Sequence, residues 1–360
     1  MRTSRLFAVL AATAVAGSLV AMPAAEAAAP THKTLTRHLL SPLSLAVDGD
    51  DVYVTQNFAG TLNKLRPGKS PKTVYAAQDG NEVGGVSVRK GNIVFTETAS
   101  DEQGNPTDSW VKRITTSGKV RTLAHVRAFE EAHNPDGTIA YGIPDLDETC
   151  AAQWPADRYG PSTYTGMIDS HPYATYQTRE TVYVADAGMN AVLAITNGKV
   201  RTVAVTPPVE VPITQDIATA AGFPDCVVGH TYFGESVPTD VEMGPGGKLY
   251  VTTEGGGFGE QLPLGSVYRI APRGGVATAV ATNLMTPTGL AVTSQGDLLV
   301  AELFAGRIAR IKKGSDEVRS YAAVGLPGAV ELSDGDVYAT IDVLPPDGGA
   351  PDGKVVRFRG

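Results

Sequence analysis

The sequence predicts an all-β chain folded as a six-bladed β-propeller. Three observations carry that expectation. A unit of four short strands recurs six times. The 40 Gly and 24 Pro are scattered along the 360 residues rather than gathered into a linker, and no low-complexity segment or charge block marks a domain boundary. Short strands joined by Gly/Pro turns at a regular period are the mark of a repeat architecture. In such a fold each unit buries its apolar face by stacking on the next.

The chain opens with a basic segment carrying Arg2 and Arg5, followed by an apolar run from Leu6 to Ala21 and then Ala25-Glu26-Ala27. A charged start, a short apolar middle and a small-residue end describe a secretory signal peptide. The run is shorter than the roughly 20 residues that a spanning helix needs. The expectation is therefore a signal peptide over 1–27, cleavage near Ala27, and a secreted, extracellular protein without a membrane span. From residue 28 onward the chain is acidic, with a formal charge of −9, and it has no Lys/Arg cluster. That balance argues against nucleic acid or an anionic membrane as partner.

The repeat unit is clearest near the C-terminus. There Pro287-Thr288-Gly289-Leu290-Ala291-Val292 is followed by a Gly-Asp turn, then Leu298-Leu299-Val300-Ala301-Glu302, Arg307–Ile311 and Glu317–Tyr321. β-Branched and alternating residues between Gly/Asp turns read as strands. The second strand of each unit is read at Val52-Tyr53-Val54, Ile93-Val94-Phe95, Val182-Tyr183-Val184, Leu249-Tyr250-Val251, Leu298-Leu299-Val300 and Val337-Tyr338-Ala339. Third strands are read at Thr61–Leu65, Trp110–Ile114, Ala191–Ile195, Ser266–Ile270, Arg307–Ile311 and Lys354–Phe358. The second strands lie 41, 89, 67, 49 and 39 residues apart. A four-stranded blade takes about 40–50 residues, so two connections carry insertions, at about 126–168 and 205–237. The last unit stops after its third strand, which would leave an open edge in a ring that has to close. The unassigned strand Thr34–Leu40, ahead of the first unit, is expected to pair with Lys354–Phe358 and close it.

Up-and-down strands sort the loops onto two faces. The short Gly/Asp turns, such as Asp48-Gly49-Asp50-Asp51 and Ser333-Asp334-Gly335, fall on one face. The long segments 98–109, 126–168, 205–237, 254–265 and 342–353 fall on the other. Elaborated loops on a rigid scaffold are where binding is built. Both insertions contain helix-like stretches, Ala128–His133 and Thr214–Gly222, and each contains one of the two cysteines, Cys150 and Cys226. An even pair in an exported chain reads as a disulfide, the alternative being two unpaired buried thiols. No Cys or His stands near either cysteine at metal-ligand spacing.

Chemical signatures are sparse. There is no Gly-x-Ser-x-Gly elbow, no phosphate-cradling Gly-rich loop and no His-Glu-x-x-His. What recurs is an acid just after the second strand: Glu97, Asp186, Glu254, Glu302 and Asp342, with Gln56 in the first unit. First-strand starts add Glu82, Asp169, His171 and Asp240. Two readings of these acids stay open. Glu97, Asp186, Asp240, Glu254 and Glu302 could converge on a divalent cation such as Ca²⁺ at the channel mouth, or each acid accepts N–H bonds within its own turn. In Asp169-Ser170-His171-Pro172-Tyr173 a nucleophile, a base and an acid are adjacent, but neighbouring residues on a strand point to opposite sides. His171 is thus a candidate base or a hydrogen-bonded residue at the channel mouth.

Pro-Thr-Gly-Leu-Ala-Val…Gly-Asp-Leu-Leu-Val-Ala-Glu…Gly-Arg-Ile at 287–308 resembles an NHL repeat, as does Thr181–Val192. More narrowly, four segments resemble secreted actinobacterial proteins of the ScyD/ScyE family. They are Asn134-Pro135-Asp136-Gly137, Asp169–Tyr173, Phe223-Pro224-Asp225-Cys226-Val227-Val228-Gly229 and Val237-Pro238-Thr239-Asp240-Val241-Glu242. The resemblance spans essentially the whole chain after residue 27. It implies an exported NHL-type propeller and names no activity. A wider similarity is to six-bladed metal-dependent lactonases of the gluconolactonase type, whose channel ion is held by carboxylate and Asn ligands. The functional expectation is a monomeric, secreted propeller binding a small molecule, glycan or protein on its loop-rich face. The alternatives are a metal-dependent hydrolase or lactonase using Glu97, Asp240 and Glu302 with His171 as base, and a structural cell-surface module.

Overall fold

The computed structural model describes residues 30–66, 69–346 and 349–359. The expected signal peptide lies outside the described residues. Among the described residues there are seven four-stranded antiparallel sheets. Six start from the strands Leu45–Asp48, Glu82–Arg89, Pro172–Gln177, Val237–Gly244, Pro287–Val292 and Val330–Ser333, which touch one another in cyclic order. We read these six sheets as blades 1 to 6 of the propeller. In blade 6 the strand order is Val330–Ser333, Asp336–Ile341, Gly353–Phe358 and then His32–Leu39 from the N-terminus. His32 lies opposite Phe358 and Leu39 opposite Gly353, so the expected closing strand is in place.

Sheets are amphipathic and must bury a face. Here both faces of most blades are buried, which accounts for the runs of consecutive apolar residues in the second strands. Val54, Val184, Val251 and Val300 are wholly inaccessible, and each contributes about 1.5–3 kcal/mol by leaving water. Successive blades share apolar cores. Val54 and Leu45 of blade 1 pack on Tyr338 and Val355 of blade 6, which joins the two ends of the ring.

The innermost strands carry a repeated bulge. Register slips between Pro172 and Ala174, Pro238 and Asp240, and Pro287 and Gly289. The extra residue lets side chains reach the next blade. Thr239 donates its hydroxyl to the Pro287 carbonyl at 2.6 Å, and Thr288 to the Pro327 carbonyl at 3.3 Å. At the following position a side chain accepts a backbone N–H of the next blade: Ser44 from Val86 at 2.9 Å, and Asp240 from Leu290 at 2.7 Å. Two blades have Gly at that position instead. A Cβ on Gly85 would stand 2.4 Å from the Ala174 Cα, and one on Gly289 2.7 Å from the Ala329 Cα. Only hydrogen fits there, and the inner strands close in on the axis.

The insertions build the seventh sheet, with strand order Thr163–Thr165, Ala140–Gly142, Thr231–Gly234, Val209–Pro212. Beside it Ile143, Trp154, Ile213, Phe223 and Val227 form a separate small core. The Cys150–Cys226 disulfide joins the two insertions, with Cα atoms 5.8 Å apart. The helix-like stretches are helices. Val126–His133 ends on Asn134 in the left-handed region, and Gln215–Ala221 is capped by the Thr214 hydroxyl and closed by Gly222. The segment 98–109 is not a free loop as expected. The strands Asn92–Ser100 and Pro106–Ile114 extend through it to a short turn in which the Asp101 carboxylate accepts from the Gln103 and Asn105 N–H groups. Among the described residues no helix is long and apolar enough to cross a membrane.

Candidate functional site: the loop-rich mouth of the channel

The inner strands leave an axial channel lined by Val86, Thr175, Asp240, Glu242, Thr288 and Glu331, among others, with space for about one water molecule. It is acidic. Burial pushes Glu242 and Glu331 well above the usual carboxylate range, and nearby acid charge, Glu331 and Asp240 on Glu242 and Asp240 on Glu331, pushes them further. Like charges confined in one site disfavour each other's ionisation, which adds to the effect of burial. Glu242 and Glu331 occupy the same place in their repeats, four residues after Pro238 and Pro327. Aligning the units on that proline places both acids in one ring, a signal present in the sequence that the strand pattern alone does not reveal.

At the loop-rich end an apolar cluster borders the channel and shares Leu43 and Tyr173 with its lining. Leu43, Leu303 and Val343 pack together there with Tyr173, Leu326 and Leu344. Two exposed aromatics stand in second-to-third loops of the same face. Phe58 follows Asn57 in the second-to-third loop of blade 1 and is 62% exposed. Phe304 directly follows Leu303 in the equivalent loop of blade 5 and is 41% exposed.

Tyr173 borders this apolar side and also feels the charges of Glu254, Glu82 and Asp240, which with burial push its hydroxyl pKa upward. Glu254 ends the second strand of blade 4, and Glu260 lies in the loop that follows. Burial and then the Glu260 charge push Glu254 up to about 7, and burial raises Glu260 too. Among the described residues no hydrogen-bond donor or cation is paired with either carboxylate. Glu82 is different, because His171 Nε2 meets its Oε2 at 3.0 Å and Asn57 Nδ2 donates to its Oε1 at 2.8 Å. Burial alone would depress His171, but the Glu82 carboxylate outweighs it and the imidazole sits at about 9. At neutral pH that ring is protonated and has no lone pair to offer as a base.

The five acids singled out for a cation are not brought together. Glu97 accepts from Lys112 at 2.7 Å, Tyr75 at 2.5 Å and Asn81 at 3.0 Å. Asp186 accepts from Ser170 Oγ and from the His171 and Met189 N–H groups. Asp240 accepts from the Val241 and Leu290 N–H groups. Glu302 accepts from the Met285 N–H at 2.8 Å and Arg307 Nε at 2.6 Å. Each of these four is satisfied by protein donors, though mostly from other segments than its own turn: Glu97 takes side-chain donors alone, and Asp186 takes a turn N–H from Met189. Glu254 alone is left open. Among the described residues no three His, Cys, Asp or Glu side chains are arranged to hold a metal ion. Gln56 accepts the Leu40 N–H and Asp342 pairs with Lys354, while the Asp169 N–H donates to Glu130. Ser170 and His171 turn to different partners and form no triad.

Solved structures of β-propeller proteins are similar to this fold. One is an oxidoreductase described as a glucose dehydrogenase from Thermus thermophilus, at 15% identity and TM-score 0.56, with 91% of this chain and 99% of that chain covered. Another is the PQQ-bound aldose sugar dehydrogenase of Streptomyces coelicolor, at 13% identity and TM-score 0.52, covering 92% and 99%. A third is the calcium-binding protein regucalcin of Agrobacterium tumefaciens, at 10% identity and TM-score 0.52, covering 92% and 95%. At such identities the likeness is one of fold. No family model matches the chain, and no curated protein matches it.

Proposed function

We propose that this chain is an exported ligand-binding propeller whose loop-rich mouth takes a small organic molecule with an apolar body and a basic group. The observation that carries this reading is the pairing of opposites around Tyr173. Tyr173 packs against the apolar cluster of Leu43, Leu303 and Val343 and feels the charge of Glu254, whose carboxylate, like that of nearby Glu260, has no partner among the described residues. A half-buried acid without a partner is costly, and a ligand ammonium would relieve that cost. The channel beneath is too narrow for an organic molecule, so the ligand rests on the mouth. Export accords with the signal-like N-terminus, with the disulfide, and with the resemblance to secreted ScyD/ScyE proteins.

A thermal-shift comparison tests the reading. 2-Phenylethylamine should raise the Tm of the wild type, whereas 3-phenylpropionate, similar in shape and opposite in charge, should not. Glu254→Gln combined with Glu260→Gln should abolish the amine response. Equal responses to the two compounds, or none to either, would remove the reading.

A further inference from the structure

A second group of acids lies where the first insertion meets blade 3. Glu130 sits in the helix Val126–His133, Asn134 caps it, Asp136 follows, and Asn190 comes from the second-to-third loop of blade 3. Glu130 and Asp136 are wholly inaccessible, and Asn190 is 1% exposed. Each of the four has a buried side-chain oxygen with no hydrogen-bond partner: Glu130 Oε2, Asn134 Oδ1, Asp136 Oδ1 and Asn190 Oδ1. Buried polar atoms are normally satisfied. Four orphans in one neighbourhood, all of them acceptors, therefore call for an explanation.

Their other atoms tie them together. Asn190 Nδ2 donates to Asp136 Oδ2 at 2.9 Å, and the Tyr141 hydroxyl donates to the same oxygen at 3.1 Å. Asn134 Nδ2 donates to the Gly166 carbonyl at 3.0 Å, and a Cβ on Gly166 would fall 2.1 Å from Asp136 Oδ1. Glu130 Oε1 takes the Asp169 N–H at 2.9 Å. The donors are thus spent on holding the frame, and the free oxygens are left over. Asp169 and Asp186 add negative charge nearby, Arg127 opposes it, and the balance is acidic.

We propose that the free oxygens of Glu130, Asn134, Asp136 and Asn190 form a binding site for a hard divalent cation, Ca²⁺ in the first place. Two carboxylates balance its charge, and two amide carbonyls complete an all-oxygen set of the kind Ca²⁺ takes, with water supplying the rest. None of these four free atoms is a nitrogen or sulfur donor of the kind that favours a transition metal. The ion would clamp the insertion helix onto blade 3, which makes the role structural. The site is independent of the ligand proposed for the channel mouth.

Elemental analysis and Tb³⁺ luminescence on the full chain test it. One Ca²⁺ per chain should survive desalting. EGTA should lower the Tm, and 1 mM Ca²⁺ should restore it by about 3–5 °C, with 1 mM Mg²⁺ restoring less. Tb³⁺ should show emission sensitised by Tyr141, which Ca²⁺ displaces. Glu130→Gln with Asp136→Asn should lose the ion and the Tb³⁺ signal. A wild-type protein without bound ion, with no Tb³⁺ emission and a Tm indifferent to both Ca²⁺ and EGTA, would overturn the proposal whether or not the variant folds.

Discussion

The Asp240 carboxylate binds two blades at once, accepting the Val241 N–H of its own strand at 2.8 Å and the Leu290 N–H of the next at 2.7 Å. Removing it orphans two backbone donors inside the ring. Asp240→Ala should therefore cost about 2–3 kcal/mol in urea denaturation, and Asp240→Asn less, because the amide keeps one acceptor. Ser44→Ala, the matching deletion in blade 1, should cost about 1 kcal/mol. Less than about 0.5 kcal/mol for Asp240→Ala, the range of an inert surface change, would contradict the stapling role.

The disulfide should stabilise the insertions rather than the ring. Cys150 and Cys226 close a span of 76 residues, worth at most about 4.5 kcal/mol in the chain-entropy model. Their core is separate from the cores between blades. The double Cys→Ser variant should thus lose hydrogen-exchange protection over 143–154 and 213–227, while amides in the second strands stay protected. Uniform loss across all blades would show that the insertions and the ring unfold together.

Stability should fall as pH rises from about 5 to 9. Glu130 at about 8 and Asp240 and Glu254 at about 7 hold protons in the folded chain that the unfolded chain releases near pH 4, and burial shifts Glu242 and Glu331 in the same direction. His171 at about 9 acts in the same direction, because its pairing with Glu82 is fully present below pH 6.5 and is lost as pH passes 9. A Tm series in metal-free buffer should show this decline, and Glu242→Gln with Glu331→Gln should flatten it. A Tm that climbs from pH 5 to 9 would contradict these buried protonations.

His171 should matter to stability as the counter-charge of Glu82. His171→Ala leaves a mostly buried carboxylate with only Asn57 as donor, at a cost of about 3 kcal/mol. Glu82→Gln in that background should recover part of the loss. Lack of any rescue would mean that the imidazole acts through packing rather than charge.

The frame of the fold was legible because blade residues obey local rules. β-Branched second strands, Gly/Asp turns and the leftover Thr34–Leu40 strand each announce themselves within a few residues. Pro-Thr at 238–239 and 287–288 carries its own reason, since the hydroxyl reaches the next blade's carbonyl. The seventh sheet was not legible. Its strands, three or four residues long, come from two insertions far apart in the chain, and no period links them. The recurring acids after the second strands drew attention as ligands, yet most are consumed by donors that only the folded chain brings near, such as Lys112 for Glu97 and Arg307 for Glu302. Glu260, Glu130 and Asn190 went unnoticed for the converse reason, because their surroundings are assembled from separate segments.

Calorimetric titration of 2-phenylethylamine between pH 6 and 8, on the wild type and on Glu254→Gln, tests the proposed function most directly. The amine stays charged across this range, whereas Glu254 ionises near 7. Wild-type affinity should rise with pH, binding at pH 6 should release a proton to the buffer, and the variant should bind weakly at every pH. An affinity independent of both pH and Glu254 would contradict an ammonium site at the channel mouth.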